Sequence, residues 1–113
     1  MHEMSLAENI VQLIDDAARE QQFTHVKTVW LEIGQLACVE KESLRFCFDV
    51  VAQDSIARQA RLEIIDIAGQ ALCMRCHQTV SVASYYEACP DCGNIVLQMI
   101  QGAEMRIKEL EVE

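Results

Sequence analysis

Basic residues are scarce in this sequence. It contains 9 lysines and arginines against 18 aspartates and glutamates, which gives a formal net charge of −9 at pH 7. The basic residues form no patch or run, and a surface that binds nucleic acid needs such a patch to neutralise phosphates. A nucleic-acid partner is therefore not expected. The acidic balance suits a protein that meets basic partners or metal cations, but it selects no function by itself.

Long hydrophobic runs are missing as well. No apolar stretch reaches the roughly 18 residues that a membrane helix requires. The sequence also does not begin with a basic region followed by an apolar run, which is the pattern of a secretory signal. We therefore expect no membrane association and a cytoplasmic location. In that reducing compartment the 6 cysteines are not expected to form disulfides, so metal binding is their first interpretation.

Chain-breaking residues are few, since 1 proline and 4 glycines interrupt a sequence that is 51% hydrophobic. A chain of this length can form one core, with or without a small satellite. The spacing of apolar residues predicts two helices and three strands. The helices cover about 6–21 and 41–53, and the strands cover 26–34, 60–67 and 104–113. Ser5 and Glu8 fit a capping box, which would leave residues 1–4 outside the first helix.

These elements predict an α+β fold in which two helices pack on a three-stranded sheet. A cysteine-rich segment is inserted before the last strand and predicts a small zinc-ribbon-like domain with two C-x-x-C knuckles. We expect an α/β domain from residues 1–69 and 99–113, and a zinc-binding domain from residues 70–98. The inserted segment has too few apolar residues for a core of its own, so we expect a metal to fold it.

The clearest motif is the pair of knuckles, "CMRC" and "CPDC". Their ligands are Cys73, Cys76, Cys89 and Cys92. Four thiolates close a tetrahedron around Zn²⁺ and leave no open position, which predicts a structural rather than a catalytic site. Pro90 presets the second turn, and Gly93 tolerates a left-handed conformation after it. A redox dithiol pair and an iron centre are the alternatives, since four thiolates also bind iron.

Two cysteines remain outside the knuckles. Cys47 lies on the apolar stripe of the second predicted helix, where a free cysteine behaves as a small buried hydrophobe. Cys38 follows the first predicted strand, and we expect it to be packed in the same way. His77 directly follows Cys76 and is interpreted as a loop histidine, because four cysteines already complete the site.

The first three residues, "MHE", offer a second kind of metal site. The α-amine of Met1, the backbone nitrogens of His2 and Glu3, and the His2 imidazole can form successive chelate rings in one plane. Ni²⁺ and Cu²⁺ favour such square-planar nitrogen sets. The Glu3 carboxylate adds negative charge that offsets the positive end of the following helix. From spacing alone a terminal histidine is more often solvated than a ligand, and both interpretations stay open at this point.

Taken together, these motifs resemble one family. The "MHE" start, the segment "VWLEIGQLACVE", the helix "SLRFCFDVV" and the knuckles "CMRC" and "CPDCG" resemble the HypA/HybF family of hydrogenase nickel incorporation proteins over essentially the whole chain. The resemblance implies a nickel metallochaperone for the maturation of NiFe-hydrogenase. It implies that His2, with Glu3 and the Met1 amine beside it, binds Ni(II) as cargo. It also implies that the four knuckle cysteines bind Zn(II).

The resemblance implies partners as well. These are a HypB-type GTPase and the precursor of the NiFe-hydrogenase large subunit, which would receive the nickel, whereas a homodimer is left open. No enzymatic activity is expected, because the zinc is coordinatively closed and no second histidine or carboxylate is arranged for catalysis. The alternative function is a zinc-ribbon adaptor for protein interactions that does not transfer nickel.

Overall fold

The structure is a computed structural model that describes residues 2–113, and the chain divides into two compact units. The first unit contains the chain up to Leu31 together with Val39–Ile64 and Ile107–Glu113, and the second contains Glu32–Cys38 and Ile65–Arg106. Both units are therefore built from discontinuous stretches of sequence. The two units are defined by how compactly their residues pack. The assignment of residues 70–98 to a separate zinc-binding domain stays a prediction.

The first unit holds both helices. They are α1, Glu3–Gln21, and α2, Lys41–Ala52. Each helix has a buried face whose apolar residues recur every three to four positions. The two helices pack against each other. The two predicted helices are confirmed. No helix among residues 2–113 combines the length and the apolarity that crossing a membrane requires.

The start of α1 differs from the capping-box prediction. The helix begins at Glu3, with His2 as its N-cap in an extended conformation (φ −82°, ψ 128°) and without a side-chain capping hydrogen bond. The Leu6 N–H donates to the His2 carbonyl at 3.1 Å, which fixes this earlier start. The expectation that residues 1–4 lie outside the helix is therefore wrong for Glu3 and Met4. Ser5 was expected to cap the helix, but it lies within the first turn of α1.

Residues 2–113 also form six strands. They are β1 Val26–Gly34, β2 Arg61–Ile67, β3 Gly69–Cys73, β4 Thr79–Val82, β5 Leu97–Gln101 and β6 Met105–Val112. Three of them, β1, β2 and β6, are the predicted strands, and they form one sheet in the order β2-β1-β6. The buried Thr28 hydroxyl donates to the Glu111 carboxylate at 2.7 Å, so the polar group inside this sheet is satisfied.

The remaining three strands form a second sheet, which the spacing of apolar residues did not predict. Its order is β4-β3-β5, with Ala71 of β3 opposite Val80 on one side and Met99 on the other. A small core lies on this sheet. It consists of Leu36, Ala71, Cys73, Val80, Val82 and Cys89, with Cys76, Leu97 and Met99 packed against it. Residues 70–98 were expected to have too few apolar residues for a core of their own. The observed core takes Leu36 from outside this segment and counts Cys73 and Cys89 among its buried side chains.

Three glycines of the second unit pack backbone against backbone. A Cβ added to Gly34 would lie 2.0 Å from the Gly102 carbonyl oxygen, and one added to Gly102 would lie 2.6 Å from the Gly69 Cα. No side chain fits at these distances, so glycine is required for the close approach. The Leu36 N–H donates to the Gly102 carbonyl at 2.8 Å, which holds the two segments together.

We expect Gly34→Ala to destabilise the protein by about 1–3 kcal/mol, the usual cost of overpacking, because the added methyl overlaps the Gly102 carbonyl. Gly34 has an ordinary φ of −69°, so reduced chain flexibility alone would stabilise this variant. Gly93→Ala is the control, since its Cβ would meet open space and only the left-handed φ of 76° is strained. Urea unfolding followed by circular dichroism compares them. A Gly34→Ala protein as stable as wild type contradicts the packing.

Candidate metal centre

The four predicted cysteine ligands come together in the second unit. Their Sγ atoms all lie within 4.8 Å of one another. Cys73 and Cys92 are 3.5 Å apart, and Cys76 and Cys89 are 3.8 Å apart. A tetrahedron with metal–sulfur bonds of about 2.3 Å places its sulfurs about 3.8 Å apart. A disulfide needs about 2.05 Å, and all four cysteines are free. The sulfur spacing is therefore that of a metal centre.

Each knuckle is a turn with the same backbone hydrogen bond. The His77 N–H donates to the Cys73 carbonyl at 2.9 Å, and the Gly93 N–H donates to the Cys89 carbonyl at 2.8 Å. His77 and Gly93 both adopt the left-handed conformation, with φ of 61° and 76°. The expectation for Gly93 is confirmed. The two knuckles are the same local structure used twice.

A second backbone hydrogen bond closes each turn. The Cys73 N–H donates to the Gln78 carbonyl at 2.9 Å, and the Cys89 N–H donates to the Asn94 carbonyl at 2.8 Å. Gln78 and Asn94 therefore occupy equivalent positions in the two knuckles. Amides also point at sulfur, since the Cys76 N–H contacts the Cys73 Sγ at 3.5 Å. Such donors favour the thiolate form that binds metals.

The centre lies at the margin of the small core of the second unit. Cys73 is 0% exposed and Cys89 is 2% exposed, and both belong to that core. Cys76 is half-buried, and Cys92 is exposed. Strand β3 ends at Cys73, so the sheet itself positions the first knuckle.

The other two cysteines do not join the centre. Cys38 was expected in the core, but it is exposed and lies in a left-handed turn with φ of 56°, so that expectation is wrong. Its thiol contacts the Leu36 carbonyl at 3.6 Å. Cys47 of α2 was expected to be buried on the apolar stripe of that helix, and the structure shows it half-buried.

The knuckle thiols shift one another's pKa values in opposite directions. The hydrogen bond from the Cys76 backbone amide lowers the pKa of Cys73 to about 6. The Gln78 amide acts to lower the pKa of Cys76, but desolvation and the neighbouring thiols outweigh it and raise this pKa to about 12. Similarly, the Asn94 amide acts to lower the pKa of Cys92, yet desolvation and two neighbouring thiols raise it. Four thiolates this close repel, and a divalent cation removes that repulsion.

The chemistry of this donor set fits zinc. Thiolates are soft ligands, and four of them satisfy a tetrahedral d¹⁰ ion without leaving a position for water or substrate. Across residues 2–113, the four cysteines are the one group of three or more His, Cys, Asp or Glu side chains whose ligand atoms converge. The arrangement can therefore crosslink two turns, and it offers no site for hydrolysis.

The predicted nickel ligands lie at the start of α1. His2 is exposed, and Glu3 is the first residue of the helix and is half-buried. The Glu3 N–H belongs to the first turn, where backbone amides have no acceptor within the helix. The predicted Met1 ligand lies outside the described residues. The structure places the exposed His2 and the Glu3 nitrogen at the N-terminus of α1, and nickel coordination there stays a prediction.

Sequence reasoning missed two features of the knuckles. His77 was interpreted as a plain loop residue, yet it takes the left-handed position that Gly93 takes in the second knuckle. The available signal was that His77 directly follows Cys76 as Gly93 directly follows Cys92. Histidine is also one of the residues that tolerate the left-handed conformation. Asn94 was not singled out, although its Nδ2 amide contacts the Cys73 Sγ at 3.7 Å. Ligand spacing gives no signal for such a contact.

The sequence matches one protein family along nearly its entire length. Residues 1–112 match the family described as "Hydrogenase/urease nickel incorporation, metallochaperone, hypA". The "Hydrogenase maturation factor HypA" of Azotobacter chroococcum mcd 1 is 57% identical over 113 residues, and that of Albidiferax ferrireducens is 58% identical. Both alignments cover 100% of this chain and 100% of the relative. These names describe a metallochaperone and maturation factors rather than catalysts.

Solved structures agree with the sequence match. The solution structure of the Ni metallochaperone HypA from Helicobacter pylori has a TM-score of 0.75 at 25% identity, covering 99% of this chain and 97% of that one. A second solution structure, of a HypA protein, has a TM-score of 0.74 at 26% identity, covering 100% and 97%. The chain therefore belongs to the HypA family of hydrogenase/urease nickel incorporation metallochaperones.

Proposed function

We propose that this chain is a nickel carrier that binds Ni(II) at its N-terminus and delivers it during the maturation of NiFe-hydrogenase. The observation that carries the proposal is the match to a nickel incorporation family over residues 1–112, a range that includes the "MHE" start. Relatives at 57% and 58% identity are named hydrogenase maturation factors. A solved neighbour is named a Ni metallochaperone.

A carrier has to release its cargo, and the four-cysteine centre is unsuited to release. Four thiolates fill a tetrahedral coordination sphere and leave no position through which a ligand could exchange. Two of the ligands, Cys73 and Cys89, are also buried. A labile cargo site must therefore lie elsewhere, and the accessible start of α1 is the place that we propose.

The proposed nickel ligands are the Met1 amine, the backbone nitrogens of His2 and Glu3, and the His2 imidazole. Two observations support this set. The exposed His2 side chain makes no capping hydrogen bond to the helix, and the Glu3 amide lies in the first turn, where backbone N–H groups have no acceptor within the helix. The Glu3 carboxylate lies in the first turn of α1. There it offsets the positive end of the helix dipole, which amounts to about half a charge and would repel a cation.

For the resident metal we propose Zn(II), held by Cys73, Cys76, Cys89 and Cys92. The Sγ–Sγ distances of 3.5 Å and 3.8 Å support this assignment. When bound, the metal supplies a crosslink between the two knuckles and neither redox nor hydrolytic chemistry. In this proposal residues 70–98 form the zinc-binding domain, and residues 1–69 and 99–113 form the nickel-binding domain.

The names of the relatives support partners from hydrogenase maturation. We propose a HypB-type GTPase and the precursor of the NiFe-hydrogenase large subunit as partners, with delivery in the cytoplasm. No catalytic activity of the chain itself is part of the proposal, since its four-thiolate centre has no open coordination position. The alternative function is a zinc-ribbon adaptor that transfers no nickel, and measurements of nickel binding and transfer distinguish it from a nickel carrier.

Nickel titration of the tag-free protein and two altered forms tests the terminal site. We expect His2→Ala, and a form extended by two residues before Met1, to bind Ni(II) at least about tenfold more weakly, since disturbing even an outer-shell partner costs about that much. His2→Ala removes the imidazole nitrogen, and the extension converts the terminal amine into a neutral peptide amide that has no free lone pair for the metal. Calorimetry measures the affinity, and visible absorption reports square-planar coordination. His25→Ala is the control and is expected to bind nickel like wild type.

Equal nickel affinity of wild type and His2→Ala would show that the terminal site is wrong. Delivery is measured separately, by mixing nickel-loaded protein with the large-subunit precursor and determining the nickel content of the precursor after separation. We expect transfer from wild type and none from His2→Ala. A wild-type protein that binds the precursor without transferring nickel would support the adaptor alternative.

We expect Cys73→Ser and Cys92→Ser to lose zinc and the order of the second unit, because each removes one of four ligands. Most of the far-ultraviolet helix signal should remain, since α1 and α2 belong to the first unit. Elemental analysis measures metal per chain. Cys38→Ser is the matched control, because Cys38 is exposed and outside the sulfur group. Stoichiometric zinc in Cys73→Ser, or iron in the wild type, would contradict the assignment.

A further inference from the structure

The Asn94 side chain connects the metal centre to the start of β5. Its Nδ2 amide donates to the Cys73 Sγ, a ligand of the opposite knuckle, at 3.7 Å. The same Nδ2 donates to the Val96 carbonyl at 3.1 Å, and the Oδ1 accepts from the Val96 N–H at 3.3 Å. One side chain therefore contacts a sulfur and the backbone segment directly before the strand.

The backbone of Asn94 contacts its own knuckle as well. Its carbonyl accepts from the Cys89 N–H at 2.8 Å. Asn94 thus contacts one cysteine of each knuckle, Cys73 through its side chain and Cys89 through its backbone. Gln78, at the equivalent position of the first knuckle, uses its carbonyl in the same way, at 2.9 Å from the Cys73 nitrogen. Its exposed side chain makes no hydrogen bond to a sulfur within residues 2–113.

We propose that Asn94 is a positioning residue of the metal centre, whose side-chain N–H adjusts the charge that the Cys73 sulfur presents to the bound metal and ties this sulfur to the start of β5. The inference rests on the proposed metal occupancy of the four cysteines. Four thiolates around a divalent cation carry excess negative charge, and N–H donors to sulfur withdraw part of it. The Cys76 amide is a backbone donor to the same sulfur, so Asn94 adds a donor that substitution can remove.

The same contacts give the metal an influence on the surface of the second unit. Ile95 and Val96 are 78% and 62% exposed, and the Asn94 side chain holds the Val96 N–H and carbonyl. When the Cys73 sulfur is fixed by metal, Asn94 is fixed with it, and so is the backbone that carries these two apolar side chains. Metal loading is therefore expected to slow the hydrogen exchange of the Val96 amide.

The absorption of Co(II)-substituted protein tests the hydrogen bond to sulfur. In Asn94→Ala the Cys73 sulfur loses an N–H donor and becomes a stronger electron donor. We expect its sulfur-to-cobalt charge-transfer band to move to lower energy, while the d–d bands that report tetrahedral geometry stay in place. Asn94→Asp also lacks the N–H, but it keeps the oxygen that accepts from Val96, and its band is expected to move in the same direction.

Two further measurements separate tuning from simple structural support. In competition with a chelator, we expect both Asn94 variants to hold zinc about tenfold more weakly, as is typical for an outer-shell partner. Hydrogen exchange of Val96 should be faster in Asn94→Ala than in Asn94→Asp, which keeps the oxygen that accepts from the Val96 N–H. Both variants should lose the slowing that metal loading produces in wild type, because neither has the N–H donor to the Cys73 sulfur. Gln78→Ala and Gln78→Glu are the matched controls, and we expect both to leave the charge-transfer band and the zinc affinity unchanged.

The inference is overturned if the charge-transfer band of Asn94→Ala coincides with that of wild type, or if Gln78→Ala shifts it equally. Because Asn94→Asp keeps the turn that Val96 closes, it serves as the second variant if Asn94→Ala fails to fold. An unshifted band in Asn94→Asp overturns the inference in the same way. A wild-type protein that takes up no metal at the cysteines would instead contradict the proposed zinc site, before any Asn94 variant is compared.

Discussion

Four sulfur atoms within 4.8 Å of one another impose the constraint on which the second unit depends. Without a cation the thiols cannot all ionise at this distance. The Cys76 backbone amide lowers the pKa of Cys73 to about 6, whereas desolvation and the neighbouring thiols outweigh the Gln78 amide and raise the pKa of Cys76 to about 12. A divalent metal converts this repulsion into attraction and allows four thiolates to coexist. The two knuckles can then stay together, although each is only a tight turn.

The rest of the second unit is arranged around that constraint. Its core contains two of the ligands, Cys73 and Cys89, among six buried side chains, which is less apolar material than unaided folding of a small domain usually requires. Backbone contacts replace some of the missing volume, because Gly34, Gly69 and Gly102 approach one another without side chains between them. Metal coordination and glycine packing therefore supply part of the stability of the second unit, whereas the first unit is stabilised by its apolar core.

The sequence predicted well what depends on spacing and poorly what depends on close packing. The period of α1 and the two C-x-x-C pairs were readable, because helix geometry and metal coordination impose fixed intervals. The start of α1 was not, since Ser5 and Glu8 fit a capping box that the helix does not use. Strands β3, β4 and β5 have only 5, 4 and 5 residues, too short for a clear alternation. The exposure of Cys38 follows from a left-handed turn that no local pattern announced.

Strand β6 follows the cysteines in the chain but lies beside β1 in the first sheet. Its end is held there by backbone hydrogen bonds of Glu113 to the Thr24 N–H at 3.1 Å and the His25 carbonyl at 2.9 Å. During synthesis a chain emerges from its N-terminus, so this sheet lacks its third strand until the ribosome has translated the whole cysteine-rich segment. The biogenesis of the two units is thereby linked. All four knuckle cysteines are therefore translated before the strand that completes the first sheet.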